Sequence, residues 1–127
     1  MLDAVDFTGQ RVLVLEDDYF LAMDAAAALR GAGGTVLGPF ADERSALEQV
    51  ASGNPTAALL DINLGTGQSF ETARALARRK VPFIFLTGYD ADIIPAEFST
   101  VQRFQKPAES KNLLNCLGRV LRGESCP

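Results

Sequence analysis

The stretch Arg11-Val-Leu-Val-Leu-Glu16-Asp17-Asp18 decides how the rest of the chain is read. Four consecutive apolar residues, Val12 to Leu15, suit a strand covered on both faces rather than one that alternates between core and water. The run stops at three acids. Asp18 is placed to cap a helix whose Leu21, Ala25, Ala28 and Leu29 share one face, and the glycines at 31, 33 and 34 end it.

The pattern of short apolar run and longer helical period then recurs. A second strand is expected near Thr35 to Gly38. After it comes a helix capped by Asp42, with Ala46, Leu47 and Val50 inward, stopped by Ser-Gly-Asn-Pro at 52–55. Thr56 to Leu60 makes a third strand that runs into Asp61. Ser69 opens a third helix with Ala73, Leu76 and Ala77 inward and Arg78, Arg79 and Lys80 near its negative end. Pro82 to Leu86 is the fourth strand. Between Thr87 and Thr100 the helical signal is poor, with Pro95 in its middle, so a short or mobile fourth helix is expected. A fifth strand spans about Val101 to Gln105, and Ser110 begins a last helix carrying Leu113, Leu114, Leu117, Val120 and Leu121 on one face. Five strands and about five helices predict an α/β fold. Its core is a doubly wound parallel sheet with helices on both faces, over about residues 10–122 of one domain spanning 1–127.

Composition narrows the function classes. The 127 residues are 47% hydrophobic and 22% charged, as in an ordinary globular domain, and a single domain without a fused output module is expected. Lys plus Arg number 12 against 16 for Asp plus Glu, and the net charge of −4 argues against direct grip on nucleic acid or an anionic membrane. Protein or metal-ion partners are expected instead. Two cysteines are too few for a disulfide framework, Cys116 reads as packing, and no signal peptide or membrane span is evident, so a cytoplasmic protein is expected.

Polar residues fall at telling places. Strand one runs into Glu16, Asp17 and Asp18, strand three into Asp61, strand four into Thr87 and strand five into Lys106. In an open parallel sheet these ends share one edge, and ligands bind where the strand order reverses. With the order 2-1-3-4-5, Glu16, Asp17 and Asp61 converge. Three carboxylates that close repel unless one is protonated or a cation bridges them. A hard divalent ion such as Mg²⁺ suits that set and would leave a carboxylate oxygen to act as nucleophile toward phosphorus. Phosphoryl transfer asks for positioning and charge neutralisation, which a lysine and a hydroxyl on flanking strands supply.

Together, Val-Leu-Val-Leu-Glu16-Asp17-Asp18, Leu-Leu-Asp61-Ile-Asn-Leu, Leu-Thr87-Gly-Tyr and Phe-Gln-Lys106-Pro107 resemble the receiver domain of two-component response regulators, in order and spacing. The resemblance implies a flavodoxin-like receiver fold. It implies Asp61 as phosphoacceptor, Asp17 as direct Mg²⁺ ligand, Glu16 as the acid holding metal-bound water, and Asn63 as the donor of a backbone carbonyl to the metal. Thr87, followed by Gly88, and Lys106 would bind the phosphoryl oxygens. Lys106-Pro107 is the candidate cis peptide.

Pro82-Phe-Ile-Phe-Leu-Thr-Gly-Tyr89 is similar to the FATGUY receivers of alphaproteobacteria, stand-alone regulators often paired with HWE-type histidine kinases, with Leu86 where that name has Ala. Common receivers carry an aromatic three positions before the lysine, where this chain has Arg103 with Phe104 beside it. Tyr89, Arg103 and Phe104 are therefore the candidates for the switch and partner surface, and the signal is expected to travel by ordering of Asp90 to Phe98. The implied function is a non-enzymatic single-domain regulator. It would take phosphate from a histidine kinase or phosphotransfer protein as a monomer or weak homodimer, then switch a downstream protein or drain phosphate. A pseudo-receiver that binds partners without phosphate is one alternative. An aspartyl-nucleophile phosphatase is the other, though such enzymes place an Asp where this chain has Asn63 and use a cap domain.

Overall fold

The computed structural model describes residues 5–62, 70–88, 94–106 and 108–124. Its strands are β1 (Arg11–Leu15), β2 (Thr35–Phe40), β3 (Ala57–Asp61), β4 (Phe83–Thr87) and β5 (Arg103–Gln105). All pair in parallel in the order β2-β1-β3-β4-β5, the doubly wound arrangement expected. The central strands β3 and β4 are buried at every residue, as their unbroken apolar runs require.

Helices α1 (Tyr19–Gly31) and α4 (Ser110–Leu121) cover one face, and α2 (Glu43–Ser52) and α3 (Glu71–Arg78) cover the other. Asp18 caps α1 by accepting from the Leu21 N–H at 3.0 Å, and Asp42 caps α2 from the Ser45 N–H at 2.8 Å. The start of α3 is different. Phe70 holds its N-cap position and offers no side-chain bond, so Glu43 of α2 reaches across and accepts from the Thr72 N–H at 2.9 Å. Ser69, expected to open this helix, lies outside the described residues.

The two faces are built from different side chains. The α1–α4 face packs Val12, Val14, Leu59 and Ile84 of the sheet against Ala25, Leu29, Leu113 and Leu117. The α2–α3 face adds a group of rings, Phe70, Phe83, Phe85 and Phe98, to Leu13, Leu60 and Leu76.

Several local expectations are corrected. The described residues hold four α-helices rather than five. Where a fourth was expected there is a 3-10 turn at Ala96–Phe98, the remainder of that segment, 89–93, being outside the described residues. Ala77 is exposed, not inward, because the chain reverses just beyond it. Lys80 takes a positive φ of 59°, the Val81 N–H bonds back to the Leu76 carbonyl at 3.0 Å, and Val81 packs on the core that Ala77 was expected to cover. β2 runs two residues further than expected and β5 begins two residues later. The cis peptide among the described residues is Gly38–Pro39. Pro107 of the expected cis pair is outside them. Cys116 is buried in the α1–α4 layer as expected, but it is disulfide-bonded rather than a free thiol. Among the described residues no helix is long and apolar enough to cross a membrane.

Candidate metal and phosphoryl site

Strand order and register bring the acids together. β1 and β3 are neighbours with Leu15 opposite Leu60, so the next residues, Glu16 and Asp61, emerge side by side at the carboxyl edge. Both are 3% exposed. Glu16 is held at two points: its N–H donates to the Phe40 carbonyl at 2.9 Å, and its Oε2 accepts from the Asp18 N–H at 2.9 Å. The first contact depends on Gly38, which has a φ of +104° and whose added Cβ would lie 2.7 Å from the Phe40 nitrogen. Only glycine lets the end of β2 bend this way toward Glu16.

Lys106 reaches the pair from the far side of the site. Its N–H donates to the Thr87 carbonyl at 2.7 Å, which anchors the residue after β5 to the end of β4. Its Nζ lies 3.0 Å from Asp61 Oδ2 and 3.0 Å from Glu16 Oε1, and donates a hydrogen bond to Glu16 Oε2 at 3.3 Å. Lys106 also lines a cavity of about 20 Å³ with Val14, Leu21, Asp24, Leu86 and Leu113. Asp17 is exposed and completes the cluster: one carboxylate oxygen each from Glu16, Asp17 and Asp61 lies within 4.8 Å of the others.

Burial first, then the contact with Asp61, pushes Glu16 up to about 7, while the Asp18 N–H and Lys106 pull the other way. Burial opposes the Lys106 charge, but its hydrogen bonds to Asp61 and Glu16 outweigh that and raise its pKa. One cation thus serves two buried carboxylates and leaves the site short of positive charge. Glu16 Oε1, although near Nζ, has no hydrogen-bond partner and no exposure to water. Three acids that converge on a single ammonium fit a divalent cation with oxygen ligands, for which Glu16, Asp17 and Asp61 are the donors among the described residues.

Comparison with known proteins bears on the fold. No protein-family model matches the chain. The solution structure of SdrG from Sphingomonas melonis Fr1 superposes with a TM-score of 0.72 at 32% identity, covering 88% of this chain and 92% of that one. The receiver domain of the Erythrobacter litoralis PhyR response regulator gives a TM-score of 0.78 at 26% identity, covering 93% and 94%. The fold is that of a response-regulator receiver domain.

A transcriptional regulatory protein of Mycobacterium tuberculosis, PdtaR, is 27% identical over 88 residues, 68% of this chain, so the chain spans less than half the length of that curated relative, 43%. Within the receiver fold, Glu16, Asp17, Asp61 and Lys106 converge as the strand ends implied. Thr87 is 2% exposed at the end of β4, and Gly88 follows it with open space where a Cβ would stand. Asn63, Tyr89 and Pro107 lie outside the described residues. Arg103 is exposed on β5, while Phe104 is half-buried against the α1–α4 core and is less a surface residue than expected. Sequence reasoning missed Glu43 as the cap of α3, which no local motif announces, and Gly38, whose need appears only once β2 bends. It also missed Tyr19, Phe20 and Met23, exposed by 68%, 77% and 41%. Their signal was present: they lie off the helical face that carries Leu21, Ala25 and Leu29.

Proposed function

We propose that the chain is a phosphorylation switch in which Asp61 accepts a phosphoryl group in the presence of Mg²⁺. The observation that carries this reading is the convergence of Glu16, Asp17 and Asp61 to within 4.8 Å of one another, with the Lys106 ammonium 3.0 Å from each of the two buried carboxylates. An Asp61 oxygen attacks the phosphorus of a phosphohistidine donor. The new O–P bond forms as the donor's N–P bond breaks, and the electron pair returns to the imidazole nitrogen, which takes up a proton. Bound Mg²⁺ would neutralise the acids and the incoming phosphoryl oxygens. Lys106 offers its ammonium to one phosphoryl oxygen and Thr87 its hydroxyl to another.

The donor in this reading is a histidine kinase, of HWE type on the FATGUY resemblance of Pro82 to Tyr89, or a phosphotransfer protein. Exposed Tyr19, Phe20 and Met23 at the start of α1, beside Asp17 and Asp18, give such a protein an apolar surface rimmed with acid on which to sit. In this reading the chain is a cytoplasmic, non-enzymatic regulator that changes a protein partner or drains phosphate from its donor.

The test uses beryllium fluoride, a non-transferable phosphoryl mimic, followed by ¹⁹F NMR. A bound signal that requires Mg²⁺ and vanishes in Asp61→Ala is expected. Absence of a bound signal with Mg²⁺ present, or its persistence in Asp61→Ala, overturns the reading.

A further inference from the structure

The strand pairs β1–β3, β3–β4 and β4–β5 each keep one register throughout. The pair β1–β2 does not. Leu13 faces Leu37, but Leu15 faces Phe40 rather than Pro39, so β2 carries one residue more than β1 over the same span. This is a β-bulge, and it lies where β1 runs into Glu16.

Two residues account for it. In an unbroken ladder Pro39 would stand opposite Leu15, and proline has no N–H to give to a neighbouring strand. Gly38 supplies the bend that passes the proline over. Its φ of +104° is open to glycine and strained for an L side chain, and an added Cβ would stand 2.7 Å from the Phe40 nitrogen and 2.8 Å from the Phe40 ring carbon Cδ2. The bulge delivers the Phe40 carbonyl to the Glu16 N–H at 2.9 Å.

That bond fixes more than a strand end. Glu16 is 3% exposed, so its N–H would have little water to turn to without Phe40. Its carboxylate is fixed separately, by the Asp18 N–H on Oε2 at 2.9 Å. The Phe40 carbonyl thus holds the main-chain end of Glu16 and the Asp18 N–H the other, and together they keep Glu16 in the 4.8 Å group it forms with Asp17 and Asp61. Mg²⁺ demands near-ideal octahedral geometry, so a displaced acid costs affinity, and the partners that orient a ligating group count nearly as much as the group itself. The bulge also turns Phe40 onto the α2–α3 core. Ring and carbonyl are separable, because one belongs to the side chain and the other to the backbone.

We infer that the Gly38–Pro39 bulge is a positioning element of the cation site, acting through the Phe40 carbonyl on Glu16, and that it sets the affinity for Mg²⁺. This rests on the reading of Glu16, Asp17 and Asp61 as the cation's ligands.

The test follows Mg²⁺ binding to the full chain by calorimetry, stability by denaturant unfolding without Mg²⁺, and the Glu16–Phe40 bond by NMR, as the scalar coupling across it. In the wild type the coupling is expected before Mg²⁺ is added. Gly38→Ala is expected to abolish it and to weaken Mg²⁺ binding about tenfold. Asparagine tolerates positive φ better than most residues, so Gly38→Asn is the milder version and keeps the test open should the alanine variant fail to fold; about threefold weaker binding is expected of it. Phe40→Leu keeps the carbonyl and loses the ring. It should lose stability and leave Mg²⁺ binding unchanged. An absent coupling in the wild type, unchanged Mg²⁺ binding in the Gly38 variants, or Phe40→Leu weakening that binding as much as they do, overturns the inference and leaves the cation site standing. No Mg²⁺ binding by the wild type removes the cation site and the inference with it.

Discussion

The two edges of the sheet are both polar, but they treat polar groups in opposite ways. At the amino edge, beside β1 and β3, the side chains of Arg11 and Thr56 meet a neutral partner or a backbone atom. Thr56 Oγ1 accepts from the Arg11 N–H at 2.9 Å and donates to Gln10 Oε1 at 2.7 Å, and Arg11 Nε donates to the Gly53 carbonyl at 2.8 Å. At the carboxyl edge, 3.0 Å contacts place one lysine between two buried acids, a third acid stands beside them, and one carboxylate oxygen has no hydrogen bond. The amino edge is made to hold the fold. The carboxyl edge keeps unfavourable negative charge that a bound cation would relieve, a pattern that separates sites from scaffolding.

The contrast breaks most sharply at Lys106. Lys106→Met leaves Glu16 and Asp61 buried without their cation, and denaturant unfolding near neutral pH is expected to show a loss of about 3 kcal/mol. A loss below about 1 kcal/mol would mean that the carboxylates do not depend on the ammonium.

Next comes Glu16, held at about 7 in the fold against 4.5 ordinarily. Folding disfavours its charged form, so the cation-free protein is most stable while Glu16 stays protonated. It then loses roughly 2 kcal/mol as pH climbs from about 5 to about 8. Glu16→Gln should flatten that fall, and Mg²⁺ should reverse it in the wild type by binding the folded state. A flat profile in the wild type without Mg²⁺ would remove the charge conflict from the account.

Thr56→Val tests the other edge. It orphans the Arg11 N–H and should cost about 1–2 kcal/mol with no change in Mg²⁺ affinity measured by calorimetry. Weaker Mg²⁺ binding in this variant would show the edges to be coupled.

Asp42 sharpens the comparison with the smallest effect. It follows β2 on the carboxyl edge but lies outside the cluster, and hydrogen bonds from the Ser45 N–H and hydroxyl hold its carboxyl below the usual range. Its contribution is present above its unfolded pKa and lost as pH falls through the lower folded value, the reverse of Glu16. Asp42→Ala should lower Tm by a few degrees near neutral pH and by less near about pH 3.

Much of this was legible in the sequence because both signals are local. An unbroken apolar run marks a strand buried on two faces, and a polar residue at its end has no core role, so Glu16, Asp61, Thr87 and Lys106 stood out before any contact was known. With the strand order 2-1-3-4-5 assumed, their convergence followed. What escaped depends on pairs distant in sequence or on backbone bending. The Glu43 cap of α3 lies 29 residues from Thr72. Phe98 sits in a stretch with no helical period, and its packing role comes from Phe70, Phe83 and Phe85, all distant in sequence. Ala77 matched the helical face, yet lost its place to Val81 once Lys80 reversed the chain.

The most direct measurement is the intact mass of the chain after incubation with acetyl phosphate, with and without Mg²⁺, beside Asp61→Asn. The account predicts addition of one phosphoryl group to the wild type only when Mg²⁺ is present, and none to Asp61→Asn. Equal addition to both proteins, or none to the wild type with Mg²⁺ present, would contradict it.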